Sequence, residues 1–229
     1  MRAEPDWPKL AGKFIVFDGL DGCGKTTQLD LLQGRLTAAG VVVARMREPG
    51  STRVGEHIRE LLLSSKGDDL TMRTEMLLYM ASRAQMVQES LKPALDRGEC
   101  VLSDRYTSST LAYQGNAGGL PEDEILTVAG VATQNIQPDL TIILDLPTDK
   151  AADRMTAKRR GHRDQPGLFQ DRIEQRNMAY HAAVRDGFLQ QVAKFPQRYT
   201  LISATGTRQA IEAAVVARLT EFFGLGRSA

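Results

Sequence analysis

The sequence has few features of proteins that are stabilised by disulfides, bound to membranes or bound to nucleic acid over a broad surface. It contains only two cysteines, Cys23 and Cys100, in 229 residues, and neither placement suggests a disulfide. The formal net charge is +1, which gives no support to a surface that coats nucleic acid or a membrane. No apolar run approaches the roughly 20 residues that span a bilayer. We therefore expect a cytoplasmic protein without a nucleic-acid or membrane partner.

Metal-ligand spacing and a signal peptide are missing as well. The three histidines are scattered along the chain, and the first residues carry acids and prolines where a signal peptide needs an apolar stretch. A chain of this length can bury one sizeable core. We expect a flexible tail over residues 1–12 and a single domain over residues 13–229.

Apolar segments rich in β-branched residues alternate with segments of helical spacing. The predicted strands are residues 13–17, 41–46, 100–104, 140–145 and 200–202. The predicted helical segments are residues 25–38, 54–63, 71–97, 108–113, 122–135, 148–158 and 207–223, with another ending near residue 193. This alternation predicts an α/β fold of three layers, a five-stranded parallel sheet with helices on both faces. The basic, glycine- and proline-punctuated residues 158–172 predict a short lid.

Residues 19–26 fit the phosphate-loop (P-loop) pattern G-x-x-x-x-G-K-[ST], between a predicted strand and a predicted helix. Backbone N–H groups and a helix N-terminus make such a loop a phosphate site. Lys25 would reach the β- and γ-phosphates of ATP, and Thr26 would hold Mg²⁺. The residues predicted to surround the ATP phosphates are Gly19, Leu20, Asp21, Gly22, Cys23, Gly24, Lys25, Thr26 and Thr27. Cys23 is either a thiol with a lowered pKa at a helix N-terminus or simply a small residue that fits the loop.

Two charged residues follow the third predicted strand. Ligands of open α/β sheets lie beyond the carboxyl ends of the strands, so Asp104 and Arg105 belong to the same rim as the phosphate loop. Asp104 would order Mg²⁺ or its waters, or else cap a helix or form a structural ion pair. Arg105 would grip a phosphate oxygen, against the general alternative of a surface arginine.

The predicted lid carries a cluster of basic side chains. The cluster is either a solvated face or the source of a catalytic arginine, because the phosphate loop has no arginine among residues 20–23. Among the candidate catalytic arginines, Arg160 and Arg163 rank above Arg159, and Arg172 is a further candidate because of the Asp-Arg-Ile-Glu motif around it.

Together, these motifs resemble thymidylate kinases. The matching segments are residues 19–27, Arg-Glu-Pro-Gly at 47–50, Asp-Arg-Tyr at 104–106, Ala-Tyr-Gln-Gly at 112–115 and Asp-Arg-Ile-Glu-Gln at 171–175. The match is colinear from about residue 13 to the C-terminus. The resemblance implies ATP- and Mg²⁺-dependent conversion of dTMP to dTDP by a homodimer, with the catalytic arginine in the lid. The lid departs from that kind by an apparent insertion over residues 162–170.

The resemblance also implies roles for individual residues. Asp21 resembles the carboxylate that contacts the sugar 3′-hydroxyl, and Arg105 the arginine that holds the acceptor phosphate, with Arg47 and Glu48 nearby. The resemblance implies base stacking for Tyr79, where the family usually has phenylalanine, and base recognition for Arg83. The Tyr79 hydroxyl then finds a partner or water, or Met76 and Met80 reshape the pocket. The remaining matches are Ser109 and Thr110 near the base, Tyr113 and Gln114 near the sugar, and Ala204 and Thr205 near adenine.

Two other functions stay open. The first is another nucleotide or deoxynucleoside kinase on the same P-loop scaffold. The second is a partner-stimulated ATPase switch, although the Asn-Lys-x-Asp motif of GTPases and the Leu-Ser-Gly-Gly-Gln motif of transporter ATPases are both missing.

Overall fold

The computed structural model describes residues 4–64, 70–161, 173 and 176–226, without the side chains of residues 158–161. Five parallel strands form one sheet in the order β2-β3-β1-β4-β5. They are β1 (Phe14–Asp18), β2 (Val43–Arg47), β3 (Cys100–Asp104), β4 (Leu140–Asp145) and β5 (Tyr199–Ser203). The predicted five-stranded parallel α/β fold is confirmed.

The helices within the described residues follow the predicted segments closely. They are α1 (Lys25–Ala38), α2 (Arg53–Leu63), α3 (Met72–Met86), α4 (Lys92–Asp96), α5 (Thr107–Thr110), α6 (Glu122–Thr133), α7 (Thr148–Gly161), α8 (Met178–Lys194) and α9 (Arg208–Phe222). The predicted bounds of α1, β3 and β4 agree residue for residue with the structure. The predicted bounds of β1, β2 and β5 shift by one or two residues.

Two helical segments contain π-helical turns that the periodicity does not predict. Val87–Leu91 joins α3 to α4, and Leu111–Asn116 continues α5. Pro93 is the second residue of α4, directly after the π-helical turn Val87–Leu91. Residues 72–96 are therefore helical throughout, in three consecutive pieces.

Two predicted boundaries need correction. The predicted loose tail is wrong from Asp6 onward, because Trp7–Leu10 forms a 3₁₀-helix with Trp7 and Leu10 buried. The backbone N–H of Asp6 donates to the carbonyl of Leu225 at 2.8 Å, which ties this segment to the C-terminal region. In addition, α7 extends three residues past its predicted end, and most of the predicted lid lies outside the described residues.

The central strand β1 is buried on both faces. Alternate side chains of a strand point to opposite faces, so Ile15 and Phe17 join one apolar cluster, with Leu29 of α1, while Phe14 and Val16 join another. Among the described residues, no helix combines the length and apolarity needed to cross a membrane. Burial of β1 fixes its carboxyl end, and hence the start of the phosphate loop, at the middle of the rim.

Candidate active site

The phosphate loop connects β1 to α1. Gly19 has a φ of +132°, and a Cβ atom there would lie 2.5 Å from the carbonyl oxygen of Leu144, so only glycine fits. Gly24, with a φ of +101°, precedes the first residue of α1. The Nζ of Lys25 donates to the carbonyls of Gly19 and Leu20, at 3.1 Å each. The loop therefore curves around its own lysine at a helix N-terminus, the arrangement that binds phosphate.

Cys23 is fully buried inside this loop. Burial raises the pKa of its thiol, and the charges of Lys25 and Arg105 oppose only part of that effect. Of the two alternatives for Cys23, the structure favours the small residue that fits the loop.

Thr26 and Asp104 lie together, as the sequence predicts for a magnesium site. The hydroxyl of Thr26 donates to Oδ2 of Asp104 at 3.1 Å. Asp104 does not cap the following helix, whose N-cap is Tyr106. A hydroxyl and a carboxylate suit Mg²⁺, which takes oxygen ligands and keeps several waters or substrate oxygens. Within the described part of the chain, no group of three or more His, Cys, Asp or Glu residues is arranged to hold a metal.

Arg105 is directed towards the phosphate loop by neighbouring acceptors. Its Nη2 donates to Oδ1 of Asp21 at 2.6 Å, and its Nη1 lies 2.8 Å from Oγ of Ser109 and 3.1 Å from Oδ1 of Asp18. Its guanidinium carbon also lies 5.1 Å from the ring centroid of Tyr113. Arg105 has a φ of +77°, an uncommon value for a residue with a side chain. These contacts hold a positive charge at the carboxyl end of β3, beside the phosphate loop.

Asp21 lies between two cations. Its Oδ1 is 2.6 Å from Arg105 and 3.6 Å from Nζ of Lys25. Burial alone would raise the pKa of the Asp21 carboxyl, but the charges of Arg105 and Lys25 outweigh it and hold the pKa well below its ordinary value. Asp21 is therefore ionised at neutral pH.

Asp18 is a site residue that the sequence prediction missed. It is fully buried and accepts from the backbone N–H of Gly19 and from the hydroxyls of Ser108 and Ser109, at 2.7–2.9 Å, in addition to Arg105. The available signal was an acidic residue that closes an apolar strand directly before the phosphate loop. A buried carboxylate at that point requires several donors.

Beside Asp21 and Arg105, a cleft opens along the rim. Its walls are Asp21, Glu48, Pro49, Arg59, Leu63, Tyr79, Arg105, Ser109, Thr110, Tyr113, Gln114 and Ile173. The cleft brings together most of the residues predicted to bind the monophosphate. It also adds Arg59, Leu63 and Ile173, which the sequence did not indicate. The wall combines apolar and aromatic side chains with a few polar and charged groups, as small-molecule sites commonly do.

Tyr79 is half-buried on the wall of this cleft. Met76 and Met80 are buried instead in an apolar cluster with Ile125 and Ala129. The methionines are thus part of the core on the other side of α3, so the structure gives no support to the alternative in which they reshape the pocket.

Arg83 and Arg47 occupy positions other than the expected ones. Arg83 is only 1% exposed and lies behind the cleft wall, where its Nε donates to Oε2 of Glu48 at 2.7 Å and its Nη1 to Thr110 at 3.2 Å. Burial raises the pKa of Glu48, and the Arg83 charge opposes part of this. Arg47 is half exposed and binds both carboxylate oxygens of Glu56, at 2.8 and 2.9 Å. Neither arginine lines the cleft.

Ala204 and Thr205 follow β5, near the phosphate loop. Nη2 of Arg154 donates to the carbonyl of Ala204 at 2.9 Å, and Nη1 of the same residue lies 3.5 Å from the carbonyl of Gly22. Arg154 thereby connects the predicted adenine-side loop to the phosphate loop, a role that the sequence did not indicate.

The candidate lid arginines remain predictions. Arg160 lies near the end of α7, but its side chain is outside the described part of the structure. Arg163 and Arg172 lie outside the described residues altogether.

Comparison with known proteins identifies the family. The thymidylate kinase family model matches residues 17–215. The chain is 43% identical to the thymidylate kinase of Geobacter sp. (strain M21) over 86% of this chain and 87% of that protein. It is 44% identical to the thymidylate kinase of Deinococcus radiodurans over 92% and 97% of the two chains.

A solved structure shows the same fold. The crystal structure of thymidylate kinase from Ehrlichia chaffeensis aligns with a TM-score of 0.72 and 29% identity, over 90% of this chain and 98% of that one. The phosphate loop, the Asp104–Arg105 pair and the adjoining cleft all fall inside the matched region. The chain belongs to the thymidylate kinase family.

Proposed function

We propose that this protein transfers the γ-phosphoryl group of ATP to dTMP, giving dTDP and ADP. The observation that carries the proposal is the cluster of Lys25, Asp21 and Arg105, which joins the phosphate loop to the cleft. Two nucleotides bound in these places would bring their phosphates together at this cluster. Phosphoryl transfer depends mainly on such positioning and on neutralisation of charge.

The donor side would be held by the phosphate loop and α1. Backbone N–H groups of the loop would bind the phosphates of ATP, and Lys25 would exchange its carbonyl partners for phosphate oxygens. Thr26 and Asp104 would hold Mg²⁺ directly or through water. The bound ion would neutralise negative charge on the β- and γ-phosphates.

The acceptor side would be held by Arg105. The phosphate of the acceptor would compete with Asp21 for Nη2 of Arg105. The guanidinium group would then donate two parallel hydrogen bonds to the phosphate oxygens. The Asp21 carboxylate, once released, could accept a hydrogen bond from the sugar 3′-hydroxyl. No general base is required, because a phosphate monoester is already ionised near neutral pH.

Charge on the transferred group calls for a further cation. Arg160 and Arg163 are proposed for this role ahead of Arg159, with Arg172 as a further candidate. Substitution of the contributing arginine by methionine should lower kcat by about 10³-fold while ATP binding is retained. Unchanged kcat in all four single variants would contradict the lid-arginine proposal.

The homodimer and the cytoplasmic location are also proposals. Support for self-association comes from exposed apolar side chains on neighbouring helices, Leu61 on α2, Leu77 on α3 and Val131 on α6. Sedimentation analysis should give about twice the monomer mass of 25.2 kDa, and Leu77→Glu should reduce it. A monomer at micromolar concentration would contradict the proposal.

Coupled measurement of ADP release across a panel of acceptors tests the reaction. The panel contains dTMP, dUMP, dCMP, AMP, CMP and thymidine, with Lys25→Ala as the inactive control. We expect the highest kcat/KM with dTMP. A higher kcat/KM with another acceptor would favour a different P-loop kinase. A rate of ATP hydrolysis that is the same with and without every acceptor would favour an ATPase switch.

A further inference from the structure

The side chain of Arg176 makes two separate contacts behind the wall of the cleft. Its Nη2 donates to Oε2 of Glu75 at 2.7 Å, and its Nη1 donates to the hydroxyl of Tyr180. Its guanidinium carbon also lies 4.4 Å from the ring centroid of Tyr180. The Arg176 side chain is 18% exposed and that of Glu75 is fully buried. The cation is therefore held between a buried carboxylate and an aromatic ring.

The first contact leads to Gln114. Its Nε2 donates to Oε1 of Glu75 at 2.7 Å, and the Gln114 side chain, only 2% exposed, lines the cleft. An ionised carboxylate only accepts hydrogen bonds, so the amide must turn its NH₂ group towards Glu75. Arg176 supplies the positive charge on the other oxygen of that carboxylate. Without the charge of Arg176, the Glu75 carboxylate would be held less firmly, and so would the Gln114 amide that donates to it.

The second contact leads to Tyr113. The hydroxyl of Tyr180 donates to the carbonyl oxygen of Tyr113 at 2.7 Å. Tyr113 lies in the π-helical turn Leu111–Asn116, where the regular α-helical hydrogen-bond pattern is interrupted. A donor from outside the turn holds its backbone in place. The ring of Tyr113 in turn packs against the guanidinium of Arg105.

We propose that Arg176 is a positioning residue for the acceptor nucleotide. It acts through Glu75 on Gln114 and through Tyr180 on Tyr113, two consecutive residues of the cleft wall, without lining the cleft itself. The inference rests on the proposed function, since it assigns the cleft to the monophosphate. Its consequence is specific: loss of Arg176 impairs binding of dTMP and leaves binding of ATP intact.

A direct role at ATP is the competing explanation. Arg176 also lines a second cavity, beside Leu20 and Asp21 of the phosphate loop. An arginine that touched the phosphates of ATP from this cavity would affect the KM for ATP. The two KM values therefore separate the explanations.

The experiment compares Arg176→Met with Arg176→Lys in the full-length protein. We expect Arg176→Met to raise the KM for dTMP about tenfold, the usual effect of losing one charge-assisted hydrogen bond. The KM for ATP should stay within twofold, and Arg176→Lys should return the KM for dTMP to within threefold of wild type. Arg35→Met is the matched control, because it removes an interhelical ion pair with Glu212, far from the cleft.

Combined variants test the two routes. If Arg176 acts through Glu75 and Tyr180, then adding Arg176→Met to Glu75→Gln or to Tyr180→Phe should raise the KM for dTMP by less than the product of the single effects. Should Glu75→Gln fail to fold, Tyr180→Phe still tests its own route, since it removes only a hydroxyl.

Two results would overturn the inference. They are an unchanged KM for dTMP in Arg176→Met, whether or not the Tm is lowered, and a raised KM for ATP. A wild-type protein that does not use dTMP would instead overturn the proposed function, so the two failures are distinguishable.

Discussion

Oδ1 of Asp18 lies 3.1 Å from Nη1 of Arg105, which links the last residue of β1 to the first residue after β3. The Asp18 side chain is fully buried and the Arg105 side chain is 14% exposed. Asp18 also accepts from Ser108 and Ser109, so it fixes the start of α5 as well as the arginine. Asp18, which is not on the cleft wall, therefore helps to orient Arg105 together with Asp21 and Ser109, which are.

Asp18→Asn should lower both stability and acceptor binding. The asparagine keeps the shape but loses the charge, and it places a donor among groups that already donate. We expect the free energy of unfolding to fall by about 3 kcal/mol, the lower end for breaking a buried pair, and the KM for dTMP to rise more than tenfold. Urea unfolding and steady-state kinetics measure the two effects.

Asp30→Asn is the control for this variant. Asp30 pairs with Arg45 at 3.3 Å but is 66% exposed, so the change should cost less than about 1 kcal/mol. Equal destabilisation by the two variants would contradict the role assigned to Asp18.

Lys25→Met should abolish turnover without loss of acceptor binding. The lysine is the cation of the phosphate loop, and its hydrogen bonds go to two carbonyls of that loop, while its one contact with a residue of the cleft wall is the 3.6 Å ion pair with Asp21. We expect kcat to fall at least about 10³-fold, as for loss of a residue that neutralises the transferred group. Calorimetric titration with dTMP should give a Kd within threefold of wild type. A large loss of dTMP binding would show that the acceptor site depends on the lysine.

Tyr79 should contribute mainly through its ring. Stacking of an aromatic side chain on a base is worth about 1–3 kcal/mol, so Tyr79→Leu should raise the KM for dTMP about tenfold. Tyr79→Phe keeps the ring and should change the KM by less than threefold. If the phenylalanine variant is as impaired as the leucine variant, the hydroxyl and not the ring carries the contact.

The pH dependence of stability should report Asp21. Its pKa in the folded protein lies below the ordinary value of 3.8, so the folded state binds fewer protons than the unfolded state between the two values. The resulting stabilisation is present above pH 3.8 and is lost as the pH falls towards the folded pKa. The difference in unfolding free energy between wild type and Asp21→Asn should shrink below about pH 4. Urea unfolding from pH 3 to pH 7 measures it, and a constant difference would contradict the assignment.

Local patterns predicted the elements that carry the phosphate site. The bounds of α1 follow from the glycines and the lysine at its start, and those of β3 and β4 follow from uninterrupted apolar runs. The parallel order of the strands then placed Asp104 beside the phosphate loop, where it meets Thr26. These features could be predicted because they depend only on residues close together in the sequence and on the general rule that ligands lie at the carboxyl ends of parallel strands.

Pairings between distant residues could not be predicted. Arg83 lies behind the cleft wall because its Nε donates a buried hydrogen bond to Glu48, 35 positions earlier. Asp18 finds its hydroxyl partners about 90 positions later. Each of these residues has many possible partners in the sequence, and the packing of the fold decides which two of them come into contact.

The short helix Trp7–Leu10 has a practical consequence. Trp7 is the chain's single tryptophan, is 3% exposed, and precedes the amino end of β1, whereas the cleft lies at the carboxyl ends of the strands. Its fluorescence should therefore report global unfolding of the chain rather than nucleotide binding at the cleft. A fusion tag that displaces this segment from Leu225 should change that signal.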